Sequence, residues 1–210
     1  MTTAAGITVL TDGFHDIPPG RIATVVTHLE MTTRPSHAFV AQQRPGWSLR
    51  HETSLSPESY RALFRRIGEP WLWFSRLSLG DEQLTNHLAD PASLIWVFES
   101  EGEDAGLVEL SWREPGTCEL VFFGVIPDLI GSGAGRFMMS HAILAAWARP
   151  QVTRVTVHTC TLDHPSALPF YMRAGFRPVR QQVEIAPDPR LAGTLTAAAA
   201  PHVPLIATAG

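Results

Sequence analysis

The order of short apolar runs after Ser93 limits what this chain can fold into more than any other feature of its sequence. Three strand-like runs, SLIWVFES, AGLVELSW and CELVFFGVI, are separated only by short turns, which predicts an antiparallel meander. A helical stretch, a strand, a second helix and a last strand follow, namely FMMSHAILAAWA, VTRVTVHTC, PSALPFYMRAG and FRPVRQQVEI. A helix between two strands of one sheet requires a parallel, right-handed crossover. The predicted fold class is therefore α/β, with a mixed central sheet, an antiparallel N-terminal meander and a β-α-β crossover.

The region before Ser93 carries signals for two helices and one strand. Residues 21–33 are rich in β-branched side chains and predict a strand, whereas residues 35–55 predict a loop. Residues 56–68 begin with Ser56-Pro57-Glu58 and end with Gly68, a pattern typical of a capped helix. Residues 81–88 predict a second, shorter helix.

Length and composition are those of one globular unit. With 210 residues, 45% of them hydrophobic, the chain can bury one large core. We expect a single domain over residues 1–210, with a cofactor-binding core at about 93–185. The proline- and alanine-rich tail at 187–210 has no clear period and predicts an extended segment.

The charge pattern excludes several classes of partner. The net charge is −4, and the 16 basic and 20 acidic residues are scattered, so neither nucleic acid nor an anionic membrane is expected to bind. Cys118 and Cys160 lie in apolar, strand-like runs and are interpreted as reduced, structural residues. No apolar run reaches the roughly 18 residues of a membrane span, and a cytoplasmic location is expected. A homodimer is compatible with the sequence.

A glycine-rich turn, Gly131-Ser132-Gly133-Ala134-Gly135-Arg136, separates a predicted strand from a predicted helix. Small residues there let the backbone approach a ligand, and free amides at the helix start favour a diphosphate. The turn lacks the Lys and Ser or Thr of a P-loop. Its glycines also lack the G-x-G-x-x-G spacing of a dinucleotide-binding fold.

A second motif follows at residues 162–176, LDHPSALPFYMRAGF. Together the two resemble the GNAT acetyltransferase superfamily, whose cofactor turn reads Gln/Arg-x-x-Gly-x-Gly/Ala and whose next helix reads Asn-x-x-Ala-x-x-x-Tyr-x-x-x-Gly-Phe. Gly133 and Gly135 occupy the small positions of the first motif. The second motif is matched by Ala167, Tyr171, Gly175 and Phe176. The resemblance covers roughly residues 93–183, by strand order and motif register.

Two residues depart from the family pattern. Ile130 stands where the family has Gln or Arg, which removes one side chain from the phosphate cradle but leaves the backbone amides. His164 stands where the family often has Asn, on the pantetheine side of the cofactor.

The resemblance implies acetyl-CoA as co-substrate, with no metal, and a set of site residues. The expected cofactor-binding residues are the backbones of Phe123 and Val125 and then Gly131, Ser132, Gly133, Ala134, Gly135, Arg136, His164 and Ala167. Tyr171 resembles the family's general acid. Glu119 is the first candidate for the base, because an acid in an apolar strand should have a raised pKa. Glu109 and a chain of water molecules are the alternatives.

The resemblance also implies an acceptor, a primary amine on a small molecule or peptide. Trp71, Trp73 and Phe74 lie where the family builds its acceptor pocket, although core packing would also account for them. If these aromatic residues line the site, a cationic or aromatic amine is favoured. Two other functions stay open: a non-catalytic acyl-CoA-binding or regulatory module, and a nucleotide-binding protein that uses the turn at 131–135.

Overall fold

A computed structural model describes residues 10–35 and 44–207. Within these ranges the strands are β1 Arg21–Met31, β2 Trp47–Glu52, β3 Ser93–Ser100, β4 Glu103–Ser111, β5 Thr117–Val125, β6 Arg154–Cys160 and β7 Arg177–Pro187. The α-helices are α1 Pro57–Gly68, α2 Asp81–Leu88, α3 Ala134–Ala146 and α4 Ala167–Arg173. No helix in the two described ranges is long and apolar enough to cross a membrane.

The strands form one mixed sheet in the order β2-β3-β4-β5-β6-β1-β7. β3, β4 and β5 pair antiparallel, and β5 and β6 pair in parallel around α3. The predicted α/β class, with its meander and its crossover, is therefore confirmed. The parallel pairing is short, because it joins only residues 117–120 of β5 to residues 154–157 of β6. Beyond it both strands continue without pairing to each other.

The N-terminal strand β1 lies between β6 and β7 and runs antiparallel to both. Its pairing with β7 is long, from Arg21 opposite Pro187 to Glu30 opposite Arg177. The first and last strands, β1 and β7, therefore lie side by side next to β6 and complete that half of the sheet. No local signal in the sequence indicates these partners.

The helices cover the two faces of the sheet for reasons that the sequence shows. Ser56 caps α1, since its side chain accepts a hydrogen bond of 3.1 Å from the Ser59 backbone N–H. Side chains at helical spacing then bury one face of α1 against β3 and β4, namely Tyr60, Leu63, Phe64 and Ile67. Helix α3 packs on the opposite face, where it buries Phe137, Met138 and Ala142. The predicted helices are confirmed.

The prediction of a loop over residues 35–55 is wrong for Trp47–Glu52, which form the edge strand β2 against β3. This strand has no apolar run that would have marked it in the sequence. Arg50 connects it to the neighbouring strands through ion pairs with Glu99 on β3 and Asp104 on β4. Such cross-strand pairs cannot be recognised before the partner strand is known. Residues 36–43 of the predicted loop lie outside the described residues.

The tail also differs from the prediction, because residues 189–203 fold into successive turns rather than an extended segment. The buried guanidinium of Arg190 pairs with Asp188 at 2.7 Å and donates to the Val203 carbonyl at 2.8 Å. The turns bury Leu195, Ala199 and Ala200 in a small core with Ile22 of β1. One arginine that satisfies several carbonyls thus folds a segment that has no hydrophobic period.

Candidate active site

A cleft of about 790 Å³ opens where β5 and β6 stop pairing. Its walls are the glycine turn, residues 120–125 of β5, the start of α4 and the segment 71–75 after α1. β1, β6 and β7 supply its floor through Ile22, Thr24, Val26, His158, Cys160, Glu184 and Ala186. The cleft therefore joins the predicted cofactor turn to the half of the sheet that β1 completes.

The glycine turn holds a backbone that other residues would strain. Gly131 and Gly133 have φ of 83° and 99°, in the left-handed region. Ser132 fixes the turn, because its hydroxyl donates to the Leu129 carbonyl at 2.7 Å and accepts from the Ala134 N–H at 3.2 Å. Gly131 and Gly133 line the cleft, whereas Ser132 is not among the lining residues and Ala134 is buried beneath.

The next residues of the turn have separate roles in packing and charge. Gly135 faces α4, and a Cβ there would lie 3.6 Å from the Phe170 ring. Arg136 lines the cleft together with Ala167 at the start of α4. A Cβ on Gly135 at this distance would be in ordinary van der Waals contact, so the position has room for a small side chain such as alanine.

Two residues near the turn were missed by the sequence analysis. A Cβ built on Gly133 would lie 3.8 Å from the guanidinium groups of both Arg136 and Arg44, and 3.9 Å from Trp47. The guanidinium of Arg44 lies 5.0 Å from the centre of the Trp47 ring. Both precede or begin β2, in the segment interpreted as loop. An isolated arginine and tryptophan there carry no motif that could have identified them.

The backbone of β5 exposes hydrogen-bond donors to the cleft. The N–H of Ile126 donates to the Ala105 carbonyl at 2.9 Å, on the β4 side. Because N–H groups alternate sides along a strand, those of Phe123 and Val125 point away from β4, into the gap left by β6. The two backbones predicted to meet a cofactor therefore have free donors facing the cleft.

Strand β5 carries a bulge at Val121. Glu109 is opposite Phe122 and Leu110 is opposite Leu120, so Val121 is the extra residue. Gly124 pairs regularly instead. It is small because a Cβ there would lie 2.6 Å from a methyl group of Ile67.

Tyr171 combines a packed ring with a place in the cleft wall. The ring contacts Phe123 and Phe176 at centroid distances of 6.3 and 6.1 Å, and the residue is 7% exposed. Burial, and to a lesser extent the Asp163 carboxylate, raise the pKa of its hydroxyl well above the ordinary value. The phenol therefore stays protonated at neutral pH, and its burial makes it a weaker acid than an exposed tyrosine.

Glu119 is not among the residues that line the cleft, but its neighbour His158 is. Oε1 of Glu119 lies 3.7 Å from Nδ1 of His158, an ion-pair distance. The imidazole lowers the pKa of Glu119 and the carboxylate raises the pKa of His158. The expectation of a raised pKa for Glu119 is therefore wrong. Its carboxylate has the imidazole of His158 beside it, and not only apolar side chains.

Glu109, the alternative base, is buried away from the cleft lining with both oxygens engaged. It accepts hydrogen bonds from the Tyr60 hydroxyl at 2.9 Å, Arg76 at 2.6 Å and His87 at 2.9 Å. Burial tends to raise its pKa, but His87 and Arg76 outweigh burial and lower it. A carboxylate held by three partners has no free oxygen with which to take a proton from a substrate.

Aromatic side chains form the wall opposite the sheet, since Trp71, Trp73 and Phe74 all line the cleft. Trp73 is fixed by a hydrogen bond of 3.1 Å from its Nε1 to Asp163. Trp71 lies edge-on to His164, with 5.1 Å between ring centres. His164 also lines the cleft, and its Nδ1 accepts the Ser166 N–H at 3.1 Å, just before α4.

Both cysteines are free thiols. Cys118 is in the core, as expected, whereas Cys160 lies in the cleft floor. Burial raises the pKa of the Cys160 thiol. Because the thiolate is the reactive form, Cys160 is poorly suited to carry a covalent intermediate.

The sequence matches the model of the acetyltransferase (GNAT) family over residues 58–176. This match covers more than half of the chain, and the chain belongs to that family. No curated protein sequence matches the chain.

Solved structures share the fold at low identity. A GCN5-related N-acetyltransferase from Sphaerobacter thermophilus is similar with a TM-score of 0.56 and 16% identity, over 81% of this chain and 52% of the other. A GCN5-related N-acetyltransferase from Kribbella flavida gives 0.52 and 15%, over 83% and 63%. A conserved protein of unknown function from Staphylococcus epidermidis gives 0.54 and 15%, over 80% and 63%. The chain spans between about half and two thirds of these proteins.

Proposed function

We propose that this protein transfers the acetyl group of acetyl-CoA to a primary amine in a complex that holds both substrates. One observation carries the proposal: a single cleft runs from a glycine turn suited to a diphosphate to Tyr171 and His158. Binding and proton transfer groups are thus present in one continuous space. Family membership supports an acetyl group as the one transferred.

The residues at the turn fit the diphosphate of CoA. The N-terminal end of α3 favours an anion, and no atom lies within 4 Å of a Cβ position at Gly131. The guanidinium groups of Arg136 and Arg44 flank Gly133 and supply full positive charges. These groups offset the absence of a Gln or Arg side chain at Ile130.

The groups around the gap between β5 and β6 fit the transfer step. Bound acetyl-CoA supplies a thioester whose carbonyl carbon is open to attack by the amine. The N–H groups of Phe123 and Val125 donate hydrogen bonds to carbonyl oxygens placed in the gap. Tyr171 lines the cleft and, as a phenol that is protonated at neutral pH, holds the proton that a departing sulfur needs.

The far half of the cleft fits a cationic acceptor with an apolar body. The aromatic rings of Trp71 and Phe74 line this part of the cleft. The carboxylates of Asp163 and Glu184 also line it and lie near His158. An ammonium group is attracted both by carboxylates and by aromatic rings. We therefore propose an amine on an aromatic or aliphatic small molecule or at a peptide end.

The first test is acetyl-CoA binding by calorimetry, with Gly133→Val as the disrupting variant. A valine at φ of 99° is strained, and its side chain would enter the space between the two guanidiniums, so binding should be lost. The matched control is Gly102→Val in the β3–β4 turn, where φ is 83° and no atom lies within 4 Å of a Cβ position. The control should bind acetyl-CoA like wild type. Unchanged affinity in Gly133→Val would remove the turn from the site.

The second test is a panel of amines, with acetyl transfer followed by release of free thiol from acetyl-CoA. Turnover with an amine supports the transferase. Acetyl-CoA binding without turnover on any amine would favour the non-catalytic module. Binding of ATP or NAD in place of acetyl-CoA would favour the nucleotide-binding protein.

A further inference from the structure

His158 occupies the point where the two central strands part. The last parallel pair joins Leu120 of β5 to Val157 of β6, and His158 is the next residue of β6. Val157 is buried on the α3 side, and strand alternation turns His158 to the opposite face, into the cleft. Its side chain is 47% exposed, so an incoming substrate can reach it.

Carboxylates surround His158 on several elements. Glu119 on β5 faces its Nδ1 at 3.7 Å, while Asp163 after β6 and Glu184 on β7 lie near enough to act on its charge. From β1, the ring of His28 lies 5.8 Å away between centroids. The three carboxylates stabilise an imidazolium at His158, whereas His28 opposes it when both rings are protonated.

We propose that His158 takes the proton from the amine acceptor, with Glu119 as the residue that positions it; this inference rests on the proposed acetyl transfer. Glu119 favours the tautomer with hydrogen on Nδ1, which leaves the Nε2 lone pair for the substrate. The nitrogen–carbon bond forms as the carbon–sulfur bond breaks. The proton lost by nitrogen goes to Nε2 of His158, and the thiolate receives a proton from Tyr171.

The arrangement fits the requirements of this proton transfer. A base is most effective when its pKa lies near the working pH, and the carboxylate beside His158 moves its pKa upward from an ordinary value of about 6.5. The proton needs no long path, since the imidazole is exposed in the cleft whereas Glu119 stands outside its lining. The histidine is therefore the group that meets the substrate, and the carboxylate acts through it.

The first experiment measures the imidazole itself. NMR titration of the histidine Cε1 protons is compared between wild type and His158→Gln, which assigns the resonance, and then with Glu119→Gln. We expect the His158 pKa to be above about 6.5 in wild type and to fall toward that value in Glu119→Gln, because a stabilising carboxylate is removed. An unchanged titration in Glu119→Gln would overturn the pairing on which the proposal depends.

The second experiment measures turnover against pH, with 2-phenylethylamine as the acceptor probe. His158→Gln should lower kcat by about 10² to 10⁴-fold. In Glu119→Gln the rising limb of the kcat profile should move to lower pH, in step with the NMR titration. A limb set by the amine's own ionisation would not move, and that result would overturn the assignment.

Two controls separate this inference from the proposed function. His51→Gln alters an exposed histidine on the edge strand β2, which is not among the cleft-lining residues, and should leave kcat unchanged. Calorimetry with acetyl-CoA is run on every variant. If wild type does not bind acetyl-CoA, the proposed function is contradicted. If wild type binds acetyl-CoA and His158→Gln turns over as fast as wild type, only the role of His158 is contradicted.

Discussion

The carboxyl groups of Glu109 on β4 and Glu119 on β5 stand on adjacent strands, yet the first is fully buried and the second is about half exposed. Glu109 is 0% exposed and is held by Tyr60, Arg76 and His87. Glu119 has a side chain that is 45% exposed and a single nearby partner at 3.7 Å. Both carboxylates have a lowered pKa, for different reasons.

The difference shows that a perturbed pKa does not by itself identify a functional acid. At Glu109 the partners saturate the carboxylate, and the result is a buried ion cluster that ties α1 and α2 to the sheet. At Glu119 the partner is another titratable group that lines the cleft. The second arrangement is suited to exchange a proton with a substrate, whereas the first holds a carboxylate ionised and out of reach.

The chain's two tyrosines repeat this contrast. Tyr60 gives its hydroxyl hydrogen to Glu109, inside the cluster. Tyr171 is equally well packed, but it lines the cleft and makes no hydrogen bond to a side chain in the described part of the protein. Each tyrosine therefore tests the role of its own region.

The largest effect is expected from Tyr171→Phe. Loss of the general acid should lower kcat by about 10² to 10⁴-fold, while packing and acetyl-CoA affinity stay as in wild type. The measurements are thiol release on an acceptor from the amine panel, calorimetry and urea unfolding. Turnover within about threefold of wild type would mean that the thiolate leaves unprotonated or takes its proton from water.

The matched control is Tyr60→Phe. This change removes a hydrogen bond to a charged group, and we expect it to lower the free energy of unfolding by about 1.5–3 kcal/mol with turnover intact. The two phenylalanine variants should thus differ in opposite observables. Similar behaviour of both would contradict the division of the molecule into a structural cluster and a reactive cleft.

The next effect is on stability, from Glu109→Gln. The change leaves Arg76 buried without its counter-ion, and breaking a buried pair costs about 3–5 kcal/mol. Glu119→Gln is the matched control and should cost less than about 1 kcal/mol, because its charge is half exposed. Urea unfolding at pH 7 measures both. Equal losses in the two variants would contradict the difference in burial.

Features with local signals could be predicted from the sequence. Ser56 and Pro57 mark the start of α1, and the short turns after Ser93 require an antiparallel meander. The glycine turn at 131–135 and the helix that carries Tyr171 form a joint pattern specific enough to indicate the family, and the family model matches. In each case residues close in sequence determine the structure.

Features that depend on distant partners could not be predicted. Nothing in residues 21–31 indicates that β1 lies between β6 and β7, or that it supplies part of the cleft floor. Arg76 and His87 carry no motif, yet they decide the state of Glu109. The predicted raised pKa of Glu119 was wrong for the same reason, because His158 is 39 positions away in the sequence and adjacent only in the sheet.

The smallest expected effect separates the two carboxylates by the pH dependence of stability. The pKa of Glu109 is lowered, so its contribution is complete above the unfolded value of about 4.3 and is lost as pH falls through the folded pKa. Its partner Arg76 stays charged at every pH used, and His87 donates through Nε2 while its Nδ1 accepts from Arg113, an arrangement that the neutral imidazole can make. The difference in unfolding free energy between wild type and Glu109→Gln should therefore persist from about pH 5 to pH 9 and shrink in acid.

Glu119 should behave differently at alkaline pH, because its partner His158 titrates. The raised pKa of His158 gives stability that is complete below about pH 6.5 and is lost as pH rises through the folded pKa, while the lowered pKa of Glu119 gives stability that is lost in acid. The difference between wild type and Glu119→Gln should then be largest at about pH 5–6, below about 1 kcal/mol, and vanish by pH 9. Urea unfolding across this range measures it, and a difference that persists at pH 9 would show that Glu119 has a permanently charged partner instead.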